Sequence, residues 1–194
     1  MDIVSRAKGI ILKPKEEWES IKKEEMSPAQ LFTSYAVILA AIPAVASFIG
    51  RALIGQRIPF YGWHRVSIGS AFLYAILFYV FTLASVYVLG IVINALAPTF
   101  SSTKNNSNAM KLAVYCMTPY WVAGVLYIIP LLGILVILAS LYGIYVLYLG
   151  FSHPLLDTPK EKVAGYLIVS IIIMIVLMVI IGVILGAIFA VSAI

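Results

Sequence analysis

The sequence predicts an all-α integral membrane protein with five transmembrane helices and an N-terminal amphipathic segment. Three observations carry this. The 194 residues are 63% hydrophobic and only 11% charged, with a mean hydropathy of +1.07, whereas a soluble domain is roughly 45–50% apolar and about 25% charged. That much apolar surface cannot be hidden in one small globular core. The charges also fall outside long uncharged runs: no Asp, Glu, Lys, Arg or His occurs between Val66 and Thr103, from Leu112 to Ser152, or from Val163 to Ile194. Runs of this length reach the ~20 residues that a spanning helix needs.

Residues 1–27 hold six basic and six acidic side chains. Ile3, Val4, Ala7, Ile10 and Ile11 repeat at helical spacing, so one face is apolar. Pro14 then interrupts and suits the first turn of a second short helix. Glu16 and Glu17 near its start and Lys22 and Lys23 near its end suit the helix dipole, and Trp18 and Ile21 share a face. The segment reads as two short helices on the membrane surface, the competing reading being a solvated, partly ordered tail. No cleavable signal peptide is expected, because the segment lacks a long apolar region.

The membrane domain is expected over residues 28–194. Ser27-Pro28-Ala29-Gln30 has the form of a capping box with Pro at the first helical position, and starts a span over about 28–50. Ala36, Ala40 and Ala44 along it permit close helix approach, and Pro43 predicts a kink. Residues 51–66 mix Arg51, Arg57 and Arg65 with Phe60, Tyr61 and Trp63, as at a headgroup belt, and are expected to run along the interface. A second span over about 67–97 would be ~46 Å of helix, longer than a ~30 Å hydrocarbon core, and must tilt, kink or protrude. Tyr74, Phe78, Phe81 and Ser85 form a stripe on it that reads as packing. After the polar loop 98–108 come a span over about 109–129, containing Pro119, and one over about 131–151. The short Pro130–Gly133 turn makes these two antiparallel neighbours. Thr158-Pro159-Lys160-Glu161 repeats the capping-box form before a last span over about 163–192, where Gly182 and Gly186 give the small-residue spacing of helix packing.

With five spans the chain ends lie on opposite sides. An N-terminus inside places ten basic residues on inside segments and three on outside ones. The positive-inside rule then predicts a cytoplasmic N-terminus and an external C-terminus.

Chemistry is hard to place on this chain. Ionisable residues inside a membrane mark proton relays, ion paths and substrate sites, and the spans are almost bare of them. His64 and His153 are single and lie in different loops. Cys116 is the one cysteine, which rules out an intrachain disulfide and a cysteine-built metal site. No nucleotide-binding glycine motif is present, and the basic residues do not form one stripe as nucleic acid would need. No catalytic, cofactor-binding or metal-ligating residue is therefore assigned, and no cofactor is expected. Uncharged polar side chains such as Thr33, Ser47, Asn94 and Thr118 read as glue between helices, the competing reading being the lining of a lipid-accessible groove.

Two stretches carry a resemblance. KGIILKPKEEWESI places Trp18 and Ile21 after Pro14. YCMTPYWVAGVLYIIPLLG joins Tyr115, Thr118 and Pro119 to a Pro-x-x-Gly turn, Pro130 to Gly133, and LYGIYVLYLGF follows. These segments resemble the Yip family (Ypt/Rab-interacting membrane proteins), in particular its prokaryotic branch, over nearly the whole chain. The resemblance implies a helical membrane scaffold, in a prokaryotic plasma membrane. Eukaryotic members are associated with prenylated Rab-type GTPases, vesicle traffic and membrane shaping. Their long N-terminal region and D-L-Y-G-P segment have no counterpart here, where the sequence reads MSPAQLFTSY, so GTPase binding is not carried over. The expectation is a non-enzymatic scaffold or adaptor that binds membrane lipids, other membrane proteins or further copies of itself, with membrane shaping as a further role; the alternatives are a transporter, channel or lipid-translocating subunit and, further off, a membrane enzyme.

Overall fold

The computed structural model describes residues 2–58, 62–152 and 155–191, with residues 56–58, 62–64 and 189–191 described by their backbone. Helix α1 spans Ile3–Leu12 and helix α2 spans Pro14–Lys23. The Asp2 carboxylate caps α1 by accepting from the Val4 and Ser5 amides at 3.1 and 3.3 Å. The Ser5 hydroxyl also donates to it, which holds this carboxyl below its usual range. Pro14 takes the first position of α2, as its missing N–H allows.

Five helical segments among the described residues are long and apolar enough to cross a membrane. Spans one to five are Pro28–Ile54, Ile68–Phe100, Asn106–Ile128, Pro130–Ser152 and Lys160–Ile188. Span one opens with the expected reciprocal box: Gln30 N donates to the Ser27 hydroxyl and Ser27 N to the Gln30 side chain. Pro43 lies inside the helix Val37–Ile49, and the widened π turns flank that helix at Phe32–Ala36 and Gly50–Ile54. Spans two and three are each started by a side-chain cap, from Ser67 to the Ser70 amide and from Asn105 to the Asn108 amide.

The segment after span one forms a short ribbon. Strand β1 (Gln56–Ile58) pairs antiparallel with strand β2 (Gly62–His64), with Arg57 opposite Trp63. Backbone pairing explains this, because amides leaving a helix at a membrane boundary need partners and a ribbon supplies them internally. Phe60, Tyr61 and His153 lie outside the described residues, as do the side chains of Arg57, Trp63 and His64.

Span three forms the centre. Its helix ends at Tyr115, turns at Cys116 and Met117, resumes over Thr118–Ala123, and tightens to a 3-10 helix over Gly124–Ile128. Most of it is buried inside the bundle, whereas little of span five is; span five packs on spans two and four and leaves Ile172, Val179 and Val183 exposed. Such a face is stable where the solvent is lipid. Spans one and three cross closely: a Cβ on Gly50 would stand 2.2 Å from the Tyr127 carbonyl, and one on Gly124 2.5 Å from Pro43 Cβ.

The loops 101–105 and 155–159 are tied together at one end of the bundle. Thr103 N donates to the Leu156 carbonyl at 2.7 Å, Ser102 to the Thr158 hydroxyl at 2.9 Å, and Asn108 to the Leu155 carbonyl at 2.7 Å. The span one–two connection and the turn at Pro130 make the opposite end.

Candidate functional site

The inner apolar residues of α1 and α2 are covered by protein, while Val4 and Leu12 of α1 stay exposed. Ile10, Trp18 and Ile21 are each no more than 1% exposed, and the cover comes from spans three and four. The Trp18 indole N–H donates to the Val146 carbonyl of span four at 3.0 Å. Its ring meets Tyr115 edge-on at 6.1 Å, and Tyr115 meets Tyr35 of span one at 5.0 Å. The Tyr35 hydroxyl bonds the Thr118 hydroxyl at 2.9 Å. A contact with fixed protein rings and a carbonyl satisfies the indole N–H, which a lipid surface would not do as specifically. The two short helices form where the sequence expects them, and this part of their apolar surface is taken up by the bundle.

The charged residues explain how the pair is held. Arg6 of α1 is 6% exposed and bridges Glu17 and Glu24, one inside and one just after α2. Its guanidinium also stands 5.8 Å from the Tyr115 ring centroid. Lys111, at the start of span three and 3% exposed, donates to the Ile21 and Glu24 carbonyls at 3.1 and 2.6 Å and to the Asn108 side chain at 3.4 Å. It therefore caps the C-terminal end of α2, where a cation suits both the free carbonyls and the dipole. Tyr142 of span four donates to the Ile11 carbonyl at 2.8 Å and serves α1 in the same way. Gly150 admits the indole, since a Cβ there would lie 2.8 Å from Trp18 Cζ2.

The sequence-derived residues thus divide. Pro14, Trp18, Tyr115, Thr118 and Pro119 are buried at or beside this junction. Pro130 and Gly133 sit at the other end, each half-buried. Gly182 and Gly186 are exposed, and a Cβ on either would meet nothing within 4 Å, so no close contact within the chain forms there among the described residues. Sequence reasoning missed Arg6, Tyr35, Lys111 and Tyr142 as parts of the junction. An arginine unpaired within its own helix, with acids in the next one, was the available signal.

The outer face of α2 presents Lys15, Glu16, Glu19, Lys22 and Lys23, all exposed. Next to it a polar recess of about 490 Å3 is lined by Lys22, Glu24, Glu25, Ser27, Asn105 and Lys111, among others. Among the described residues no three His, Cys, Asp or Glu side chains are grouped to hold a metal ion.

Residues 8–192 match the Yip1 domain family. The chain is also 28% identical over 162 residues to the inner membrane protein YohC of Escherichia coli strain K12, covering 82% of this chain and 83% of that protein. The same identity and coverage hold for the YohC protein of E. coli O6:H1 strain CFT073. No solved structure matches. The matched region contains α2, all five spans and both halves of the Trp18–Tyr115 junction, and the chain belongs to the Yip1 domain family of multi-pass membrane proteins.

Proposed function

We propose that this protein is a non-enzymatic membrane adaptor that holds a partner protein on the outer face of α1 and α2. The observation that carries this reading is the junction itself. Arg6, Trp18, Lys111 and Tyr142 fix two short helices on the bundle, so that a face of mixed charge is presented with little freedom left to lose on binding. Preorganised surfaces bind with a smaller ordering cost. The resemblance to Yip proteins supports the same role, with the N-terminus on the cytoplasmic side. The break in span three also favours a scaffold over a solute path. The cavity there holds about 10 Å3 between Cys116, Met117, Ser140 and Gly143, room for one water at most.

The test is capture from native membranes in lipid nanodiscs, comparing wild type with a Lys15→Glu, Lys22→Glu, Lys23→Glu variant. A stoichiometric protein retained by wild type and lost from the variant is expected. Identical protein partners for both, or none for either, would refute the docking face. Solute or lipid flux above that of empty liposomes would favour a transporter.

A further inference from the structure

The end of the bundle away from α1 and α2 carries positive charge with no acidic side chain to balance it. All eight Asp and Glu residues lie in residues 2–25 or at Asp157 and Glu161, on the α1–α2 side. The opposite end has Arg51, Arg57 and Arg65 and neither Asp nor Glu. Arg65 is exposed and can be hydrated. Arg51 is half-buried in the π-helical turn that closes span one, and its guanidinium carbon stands 3.9 Å from the centroid of the Tyr74 ring of span two.

Beside Arg51 is a cavity of about 230 Å3, lined by Ser47, Arg51, Tyr74, Phe78, Tyr127 and Pro130. It lies where spans one and two meet the turn between spans three and four. Its wall combines one guanidinium, three hydroxyl-bearing side chains and apolar surface. A guanidinium is always charged and offers planar, paired donors that match phosphate oxygens. An aromatic ring against one face steadies the cation without neutralising it, and leaves the edge donors for a ligand.

The geometry points to a phosphate-binding site at this cavity, occupied by the headgroup phosphate of an anionic phospholipid. The position is that of a headgroup, at the end of a span beside aromatic side chains. A second groove of about 250 Å3 runs along the same span one–two seam, lined by Ala44, Phe48, Phe72, Ala75 and Tyr79 among others, and its surface is entirely apolar. That suits an acyl chain and has no use for free phosphate. The site is at the end opposite the α2 face and stands independently of the adaptor reading.

The experiment uses the full chain, delipidated in detergent and titrated with phosphatidylglycerol, with phosphatidylcholine and with inorganic phosphate, bound lipid being counted by native mass spectrometry. Wild type is expected to retain phosphatidylglycerol in preference to phosphatidylcholine. Arg51→Gln should weaken it about tenfold or more, the size of a lost charge-assisted pair. Arg65→Gln should cost less than about fivefold, the size of a diffuse surface charge. Equal losses in the two variants, or none in Arg51→Gln, would overturn the site. Inorganic phosphate that displaces the lipid from wild type but does not bind Arg51→Gln would keep the anion site and make free phosphate its occupant. Should Arg51→Gln fail to fold, Arg51→Lys decides. It keeps the charge and loses the paired donors, so several-fold weaker binding supports the site and unchanged affinity overturns it.

Discussion

Trp18 is the side chain on which the N-terminal helices depend most. It is 1% exposed, donates to the Val146 carbonyl and meets Tyr115 edge-on. Trp18→Ala removes both the ring and the hydrogen bond and should cost about 3–5 kcal/mol, read as a lower Tm and as faster protease cleavage between residues 1 and 25. Trp18→Phe keeps a ring and should cost nearer ~1 kcal/mol for the hydrogen bond. Lys111 is a different case. Lys111→Met is similar in length but leaves the Ile21 and Glu24 carbonyls without their donor, a loss of about 1–3 kcal/mol for buried acceptors. Its effect should be confined to the end of α2 and show in hydrogen exchange there, with little change in the later spans. The sequence made Trp18 visible as a motif residue, but its partners lie 128 and 97 positions further on at Val146 and Tyr115. Nothing local in the chain names them.

At the scale of elements, the helices were legible and their irregularities were not. Long uncharged runs bounded by capping boxes and polar loops specify spans directly, because a backbone in lipid must satisfy itself. The π turns of span one and the 3-10 end of span three answer instead to the neighbours that press on them, which no local pattern records. The glycines separate these cases. Gly50 and Gly124 are where spans one and three touch, and a Cβ on either would collide with backbone or with Pro43. Gly50→Ala should cost about 1–3 kcal/mol through overpacking and destabilise the purified monomer. Gly182→Ala and Gly186→Ala meet only open space and should fall within about 0.5 kcal/mol of wild type, as surface changes do. A clear fall in the stability of a monomeric Gly182→Ala protein would contradict the exposed position. If the same change instead reduced self-association, the two glycines would serve contact between copies, which is the packing role their spacing suggests.

The whole molecule is polarised. Its acids and ten of its thirteen basic residues gather at the end that carries α1, α2 and the loops at 101–105 and 155–159, while Arg51, Arg57 and Arg65 hold the other. The imbalance was readable in the sequence, because spans of alternating direction sort the charges into two sets. What could not be read was the use of each set: Arg6 and Lys111 are internal fasteners, whereas Arg51 faces a cavity. The positive-inside rule counts charges near span ends without regard to such uses, and it predicts a cytoplasmic α1–α2 end. Lys104 and Arg65 are exposed on opposite ends, and the natural cysteine, Cys116, is buried, so it should stay silent toward a thiol reagent. In spheroplasts, a membrane-impermeant maleimide should therefore label Arg65→Cys directly and Lys104→Cys only after the membrane is opened. The reverse pattern would invert the molecule and turn the α2 face outward, away from any cytoplasmic partner. Labelling of both sites in intact cells would mean a mixed orientation. Lys104→Glu and Lys111→Met together should increase that mixture if the ten-to-three bias is what fixes the direction of insertion.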